Sequence, residues 1–317
     1  MSPILRLSPA SLAFFALLLT PAWASADEEE SAVSAAASVS QWSFRHESVL
    51  GIRATPLGLN VNSLTGFRVY LSGSESALLR NTYVESGLAT GLSPAYLWAG
   101  PYIDALPIAL LHLRFSAQSM WYLGSLGYLI DAPESEDGTP FRWSMPALSD
   151  IRSQDDHEGV AARGAMLRAV ATPRYMRELT GSLRLVFTAE TSWIWMNTTM
   201  ANRYYEPFHD LLLNPNDRIF STQPTLGVLL GSQPAETHLL LGVRYEYTNT
   251  ENSDVERQLL GLVFRWKMPA RWGVPGEPVL SGMIGASIAH TTQGEETQGR
   301  VGAPYFGVLY TSSWERR

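Results

Sequence analysis

From about residue 65 onward the chain divides into segments of roughly 9–14 residues bounded by Gly, Pro, Ser and Asn, and several alternate apolar with polar side chains. A period of two marks a β-strand whose two faces meet different surroundings. Glu236–Thr248 shows it most plainly. Leu239, Leu241, Val243, Tyr245 and Tyr247 share one face; His238, Gly242, Arg244, Glu246 and Thr248 share the other, with Leu240 as the exception. In Gly181–Trp195, Leu183, Leu185, Phe187, Ala189 and Trp193 oppose Arg184, Thr188, Glu190 and Ser192. Val255–Lys267 sets Leu260, Leu262, Phe264 and Trp266 against Arg257, Gly261 and Arg265. Pro278–His290 sets Leu280, Ile284 and Ile288 against Ser281, Gly285 and Ser287.

A soluble sandwich alternates in the same way strand by strand. Length separates the two architectures. Sandwich strands usually run about 5–6 residues, whereas a tilted membrane-spanning strand needs about 9–11. The apolar faces also end in aromatics, with Trp193, Trp195, Tyr245, Tyr247, Trp266 and Trp272 as candidates for a girdle at the lipid interface. Strands are expected near 65–73, 81–91, 94–104, 106–117, 119–130, 160–173, 180–194, 217–231, 236–248, 255–267, 278–290 and 299–311. The fold class is therefore all-β, an antiparallel transmembrane β-barrel of about 12 strands, with 47–58 as a candidate extra strand or inner plug segment that would raise the count to 14. If the first strand runs outward, the connections 74–80, Leu106, 131–159, 195–216, 249–254 and 291–298 lie outside. Those at 92–93, 118, 174–179, 232–235 and 268–277 lie inside. The two longest fall outside, as the long-loop, short-turn asymmetry of such barrels requires.

The first 26 residues read as an address. Arg6 is the only charge before Asp27; the apolar run Leu12–Leu19 follows, then Pro21 and Ala24-Ser25-Ala26, the plan of a secretory signal peptide. Residues 27–64 begin as an acidic, Ser/Ala-rich leader. The barrel is expected over 65–311 and a short periplasmic tail over 312–317.

On these features the chain resembles bacterial outer-membrane β-barrel proteins of the porin-like kind over residues 65–311. Its last strand carries Tyr305, Phe306 and Tyr310, as the carboxyl-terminal signal of such barrels does, although the chain runs on through Glu315, Arg316 and Arg317. The resemblance implies location in the bacterial outer membrane, membrane lipids as surroundings and the barrel-assembly machinery as a partner in biogenesis.

Composition narrows the function classes. The 317 residues hold 23 basic and 30 acidic side chains, a net charge of -7, which disfavours nucleic acid as a partner. Cysteine is absent, so disulfides and thiolate metal sites are excluded. Lys267 is the single lysine against 22 arginines, and forked arginine contacts suit a crowded polar lumen. No helical span of about 20 apolar residues follows the N-terminus.

The charged positions on inner faces are the candidate lumen lining: Arg68, Glu85, Arg114, Arg184, Glu190, Arg244, Glu246, Arg257 and Arg265, with His112 and His238. They would form either a constriction for small charged solutes or a salt-bridged plug. Asp155, Asp156, His157 and Glu158 form a candidate cation site on the outer rim. With Asp150, His209 and Asp210 they share residue types with the omptin outer-membrane proteases, which have ten strands. His46-Glu47-Ser48 has the His-x-Ser order of outer-membrane phospholipase A, where a His beside a Ser activates it as a nucleophile. That family continues Asn-Gly and this chain continues Val49-Leu50. No nucleotide-binding, G-x-S-x-G or HExxH motif occurs, and neither a cofactor nor a resident metal is expected. The leading expectation is a narrow porin-like channel or a structural surface barrel. An outer-membrane hydrolase with its site on the extracellular rim, and a soluble secreted β-sandwich or ligand-binding barrel, are the alternatives.

Overall fold

The computed structural model describes residues 42–316 except 55–56, 72–75, 77, 80–81, 124–160, 202, 207–208, 210, 232–236, 270–275, 293–294 and 297–303. No helix occurs among them. The strands are β1 (Trp42–Ala54), β2 (Leu57–Tyr70), β3 (Tyr83–Leu92), β4 (Tyr96–Ile108), β5 (Leu111–Tyr122), β6 (Ala162–Thr180) and β7 (Leu183–Thr198). A short hairpin follows, β8 (Tyr204–Glu206) and β9 (Leu211–Leu213). The rest are β10 (Asn216–Leu230), β11 (His238–Thr250), β12 (Val255–Lys267), β13 (Glu277–Thr292), the two-residue β14 (Glu295–Glu296) and β15 (Pro304–Arg316).

Twelve of these strands form one closed antiparallel ring. Each pairs with its sequence neighbour around the wall, β7 with β10 and β13 with β15, and the ring shuts where β1 meets β15. Closure leaves no edge with unpaired backbone groups, which is the condition a sheet must meet in lipid. Side chains alternate as the sheet requires. On β11, Leu241 and Val243 face outward while Arg244 and Glu246 are buried in the lumen; on β12, Leu260 and Leu262 face outward while Arg257 and Arg265 are buried. An apolar exterior around a polar interior is the inverse of a soluble barrel and defines a transmembrane one. The protein is an outer-membrane β-barrel. The two longest connections, from β5 to β6 and from β7 to β10, join strand ends opposite the start of β1 and the end of β15. That end is therefore extracellular and the terminus end periplasmic.

The number of wall strands is twelve as the sequence suggests, but two positions differ and their effects cancel. The wall begins at Trp42 and not at 65, so of the expected segment 47–58 the described residues 47–54 and 57–58 belong to β1 and β2 and not to an inner plug. β1 escapes a periodicity reading because Arg45-His46-Glu47-Ser48 is polar on both faces. Conversely, the segments expected at 106–117 and 119–130 collapse into the end of β4 and the single strand β5, with the turn at 109–110. The shift in phase moves 71–82 to the periplasmic end and 93–95 to the extracellular end, the reverse of the sides expected for 74–80 and 92–93.

Candidate functional site

In the periplasmic half of the lumen, β1 to β5 aim charged side chains inward because every second residue must point there. Arg45 donates to Glu47 at 2.7 Å, and Arg68 Nε donates to Glu85 Oε2 at 2.9 Å. Glu85 also accepts from the Tyr102 hydroxyl at 2.5 Å and lies 3.7 Å from Arg45. Gly66 makes the Tyr102 contact possible, since a Cβ there would lie 2.6 Å from the Tyr102 hydroxyl oxygen. Asp104 is the second node. It accepts from Arg114 Nε at 2.6 Å and from the Tyr83 hydroxyl at 3.0 Å, and pairs with His112 Nε2 at 2.7 Å. The Arg68 guanidinium stacks 3.8 Å over the Tyr83 ring, joining the two nodes. Arg45, Arg68, Glu85 and Asp104 are each only 0–3 % exposed, so side chains fill this level of the lumen.

Farther along the wall, Arg168 pairs with Glu190 at 2.9 Å, Arg244 donates to Thr225 at 3.0 Å, and Arg257 donates to the His209 carbonyl at 3.2 Å. Glu246 stands 3.9 Å from Arg244.

The extracellular mouth is filled differently. The hairpin β8–β9 folds into it, with Tyr204, Glu206, Leu211 and Leu213 all at 0 % exposure. Leu211, Leu212 and Leu213 pack with Tyr96, Tyr122, Met166, Ile194 and Met196 in one apolar cluster. Glu206 is the polar pin: it accepts from the Tyr122 hydroxyl at 2.9 Å and from the His209 amide at 2.7 Å, and lies 2.8 Å from His209 Nδ1. Burial and the neighbouring Glu206 push the Tyr204 phenol well above its ordinary range. Asp217 ties the hairpin's exit to the β11–β12 turn by accepting from the Asn252 amide and the Ser253 hydroxyl.

On the outer side of the wall, His46 and Ser48 project from β1 toward lipid, and Thr65 projects beside them from β2. His46 Nε2 lies 2.8 Å from Ser48 Oγ, and His46 Nδ1 lies 2.8 Å from Thr65 Oγ1. The sequence shows the His-x-Ser pair. It does not show Thr65, because only the β1–β2 register sets Thr65 opposite His46.

The structure gives the residues singled out from the sequence the following positions. Arg68, Glu85, Arg244, Glu246, Arg257, Arg265, His112 and His238 are buried on the lumen side. Arg114, Arg184 and Glu190 are partly buried and share that face by alternation. Trp193 and Trp195 face outward near the extracellular end of β7, and Tyr245, Tyr247 and Trp266 lie on the outward faces of β11 and β12. Trp272 and the rim group Asp155, Asp156, His157 and Glu158 lie outside the described residues, as does Asp210. His209 is buried and pairs with Glu206.

No protein-family model matches the chain, and no curated protein matches it. Among solved structures, the β domain of the Bordetella autotransporter BrkA is similar at 13% identity and a TM-score of 0.43, over 86% of this chain and 98% of that one. LpxR from Salmonella typhimurium is similar at 7% identity and a TM-score of 0.41, over 85% of this chain and 99% of that one. CdiB from Acinetobacter baumannii is similar at 9% identity and a TM-score of 0.36, over 87% of this chain and 60% of that one. The likeness is one of overall form, and no residue role passes from these proteins to this chain.

Proposed function

We propose that the protein works as a closed outer-membrane barrel, a structural surface barrel and not an open pore. Its lumen serves as a packed ionic core, and its working surfaces are the extracellular loops and the lipid-facing wall. The observation that carries this reading is burial. Arg45, Arg68, Glu85 and Asp104, the residues that would line a constriction, are 0–3 % exposed, and the hairpin β8–β9 occupies the extracellular mouth. An open selectivity filter needs charged groups in contact with water; these are in contact with one another.

The test is planar-bilayer conductance of the refolded chain from Asp27 to Arg317. The expected result is a folded, heat-modifiable barrel with no conductance steps. Reproducible steps from the intact chain would overturn the reading in favour of a porin-like channel. Steps that arise only after residues 203–214 are replaced by a short turn would make the hairpin a gate, and the protein a gated channel.

A further inference from the structure

The lipid-facing wall of a membrane barrel is expected to be apolar, because lipid offers no hydrogen bonds. Most of this wall conforms. Around the β1–β15 seam it does not. The register lines up Ser312, Ser48, Ser63 and Thr90 in one outward row across four strands. The next row toward the periplasm holds Trp314, His46 and Thr65. The backbone ladder is already complete here, so the wall needs none of these side chains to close. An ionisable residue facing the bilayer marks function before it marks structure.

The geometry orders the three central groups. With the imidazole proton on Nδ1, the Ser48 hydroxyl donates to His46 Nε2 at 2.8 Å and Nδ1–H donates to Thr65 Oγ1 at 2.8 Å. That is a nucleophile within reach of a base, and a base fixed in tautomer and direction by a third group. The depth is equally specific. On the periplasmic side Phe44 packs against Phe67 and Trp314 at 5.3 and 5.5 Å, and Trp314 lies 5.6 Å from His46. Toward the membrane centre the next outward row holds Leu50, Val61 and Leu92, all exposed. Aromatic belts sit at the headgroup level, so one row deeper is where the ester linkages of a membrane lipid lie.

We propose that Ser48, His46 and Thr65 form a catalytic site that hydrolyses acyl esters of lipids in the periplasm-facing leaflet, entered from the bilayer. Ser48 Oγ attacks the ester carbonyl while its proton passes to His46 Nε2. The tetrahedral intermediate expels the alcohol, which takes that proton and leaves an acyl group on Ser48. Water then attacks the acyl-serine, giving a proton to His46; collapse releases the fatty acid and returns the proton to Ser48. The net reaction is ester plus water to acid plus alcohol. Ser63 and Ser312 flank Ser48 on the adjacent strands and supply hydroxyl donors for the developing oxyanion. Thr65 is a positioning residue that acts through His46. The inference goes beyond the closed-barrel reading and stands whether or not the lumen conducts.

The test uses the refolded chain from Asp27 to Arg317 in detergent micelles, with hexadecylsulfonyl fluoride as a serine-reactive probe that enters apolar surroundings. The expected result is a single adduct on Ser48, found by peptide mass spectrometry and lost in Ser48→Ala. In vesicles of phosphatidylethanolamine and phosphatidylglycerol, the wild type should release fatty acid. His46→Phe should lower the rate by about 10²–10⁴-fold, the usual contribution of a general base. Thr65→Val should lower it less, with Thr65→Ser restoring it. Heat-modifiable mobility identifies the folded barrel in every variant. A folded wild type that gives no adduct, an adduct on another serine, or fatty-acid release unchanged in Ser48→Ala would each overturn the proposal.

Discussion

Four consecutive residues of β1 face two different solvents. Arg45 and Glu47 point into the lumen, where they pair at 2.7 Å and are nearly sealed from water. His46 and Ser48 point into lipid, where they bond at 2.8 Å and stay partly exposed. Both clusters are polar and hydrogen-bonded within themselves, yet they differ in what their removal exposes. The lumen cluster is a network of charged groups nearly sealed from bulk solvent. The lipid-side cluster is a chain of imidazole and hydroxyl side chains at an accessible surface. The first kind of cluster holds a barrel together; the second leaves a reactive group within reach of whatever lies outside.

The largest effect should come from breaking the lumen network at its most connected carboxylate. Asp104→Asn removes the charge that neutralises Arg114 and meets His112 and Tyr83. Stranding a buried guanidinium typically costs about 3–5 kcal/mol. The urea midpoint of the refolded barrel should fall accordingly, and a midpoint within error of wild type would show that water reaches the lumen after all.

A charge placed on the ordinary lipid wall comes next. Leu262 faces outward near the middle of β12. Leu262→Arg should cost about 2–4 kcal/mol if that position lies near the bilayer midplane. A much smaller loss, read by the same unfolding titration in lipid, would move the membrane belt along the barrel axis. That would in turn shift the level at which His46 and Ser48 sit.

These two faces also explain what was legible in the sequence. Strands with one apolar and one polar face, β10 through β13, stand within a few residues of where the alternation puts them. β1 carries no such signal, because a lumen ion pair and a lipid-side hydrogen-bonded pair interleave over Arg45–Ser48. A strand polar on both sides reads as loop. The lumen residues were legible as positions but not as pairs. Which arginine meets which carboxylate depends on register and closure, as with Tyr70 and Glu315, which meet at 2.7 Å across the length of the chain. The filling of the extracellular mouth by β8–β9 has no periodic signature at all, because three residues per strand are too few to show one.

The hairpin provides a third, intermediate case: its pin is charged like the lumen network, but its burial is local. Glu206→Ala removes the acceptor for the Tyr122 hydroxyl and the His209 amide. Leaving such buried donors unpaired costs about 1–3 kcal/mol. The loss should fall on the hairpin and not on the wall. Limited proteolysis should therefore cut within 203–214 faster than in wild type, while the heat-modifiable mobility of the barrel persists. A global loss of folded barrel would instead make the hairpin part of the ionic core.

The smallest effect on stability should be at Ser48, and its smallness is informative. Ser48→Ala removes one hydroxyl from a half-buried outward position, and the ladder of β1 with β2 and β15 stays whole. Surface substitutions of this kind usually change stability by no more than about 0.5 kcal/mol. If the patch existed to hold the wall together, loss of the Ser48–His46 bond would register in unfolding, since His46 would be left facing lipid with one nitrogen unpaired. If it exists for chemistry, stability should hold while adduct formation and fatty-acid release vanish. Measuring both on the same variant separates the two roles: a large unfolding shift makes the outer cluster a second structural network like the inner one, and an unchanged midpoint with lost labelling makes the two faces of β1 different in kind.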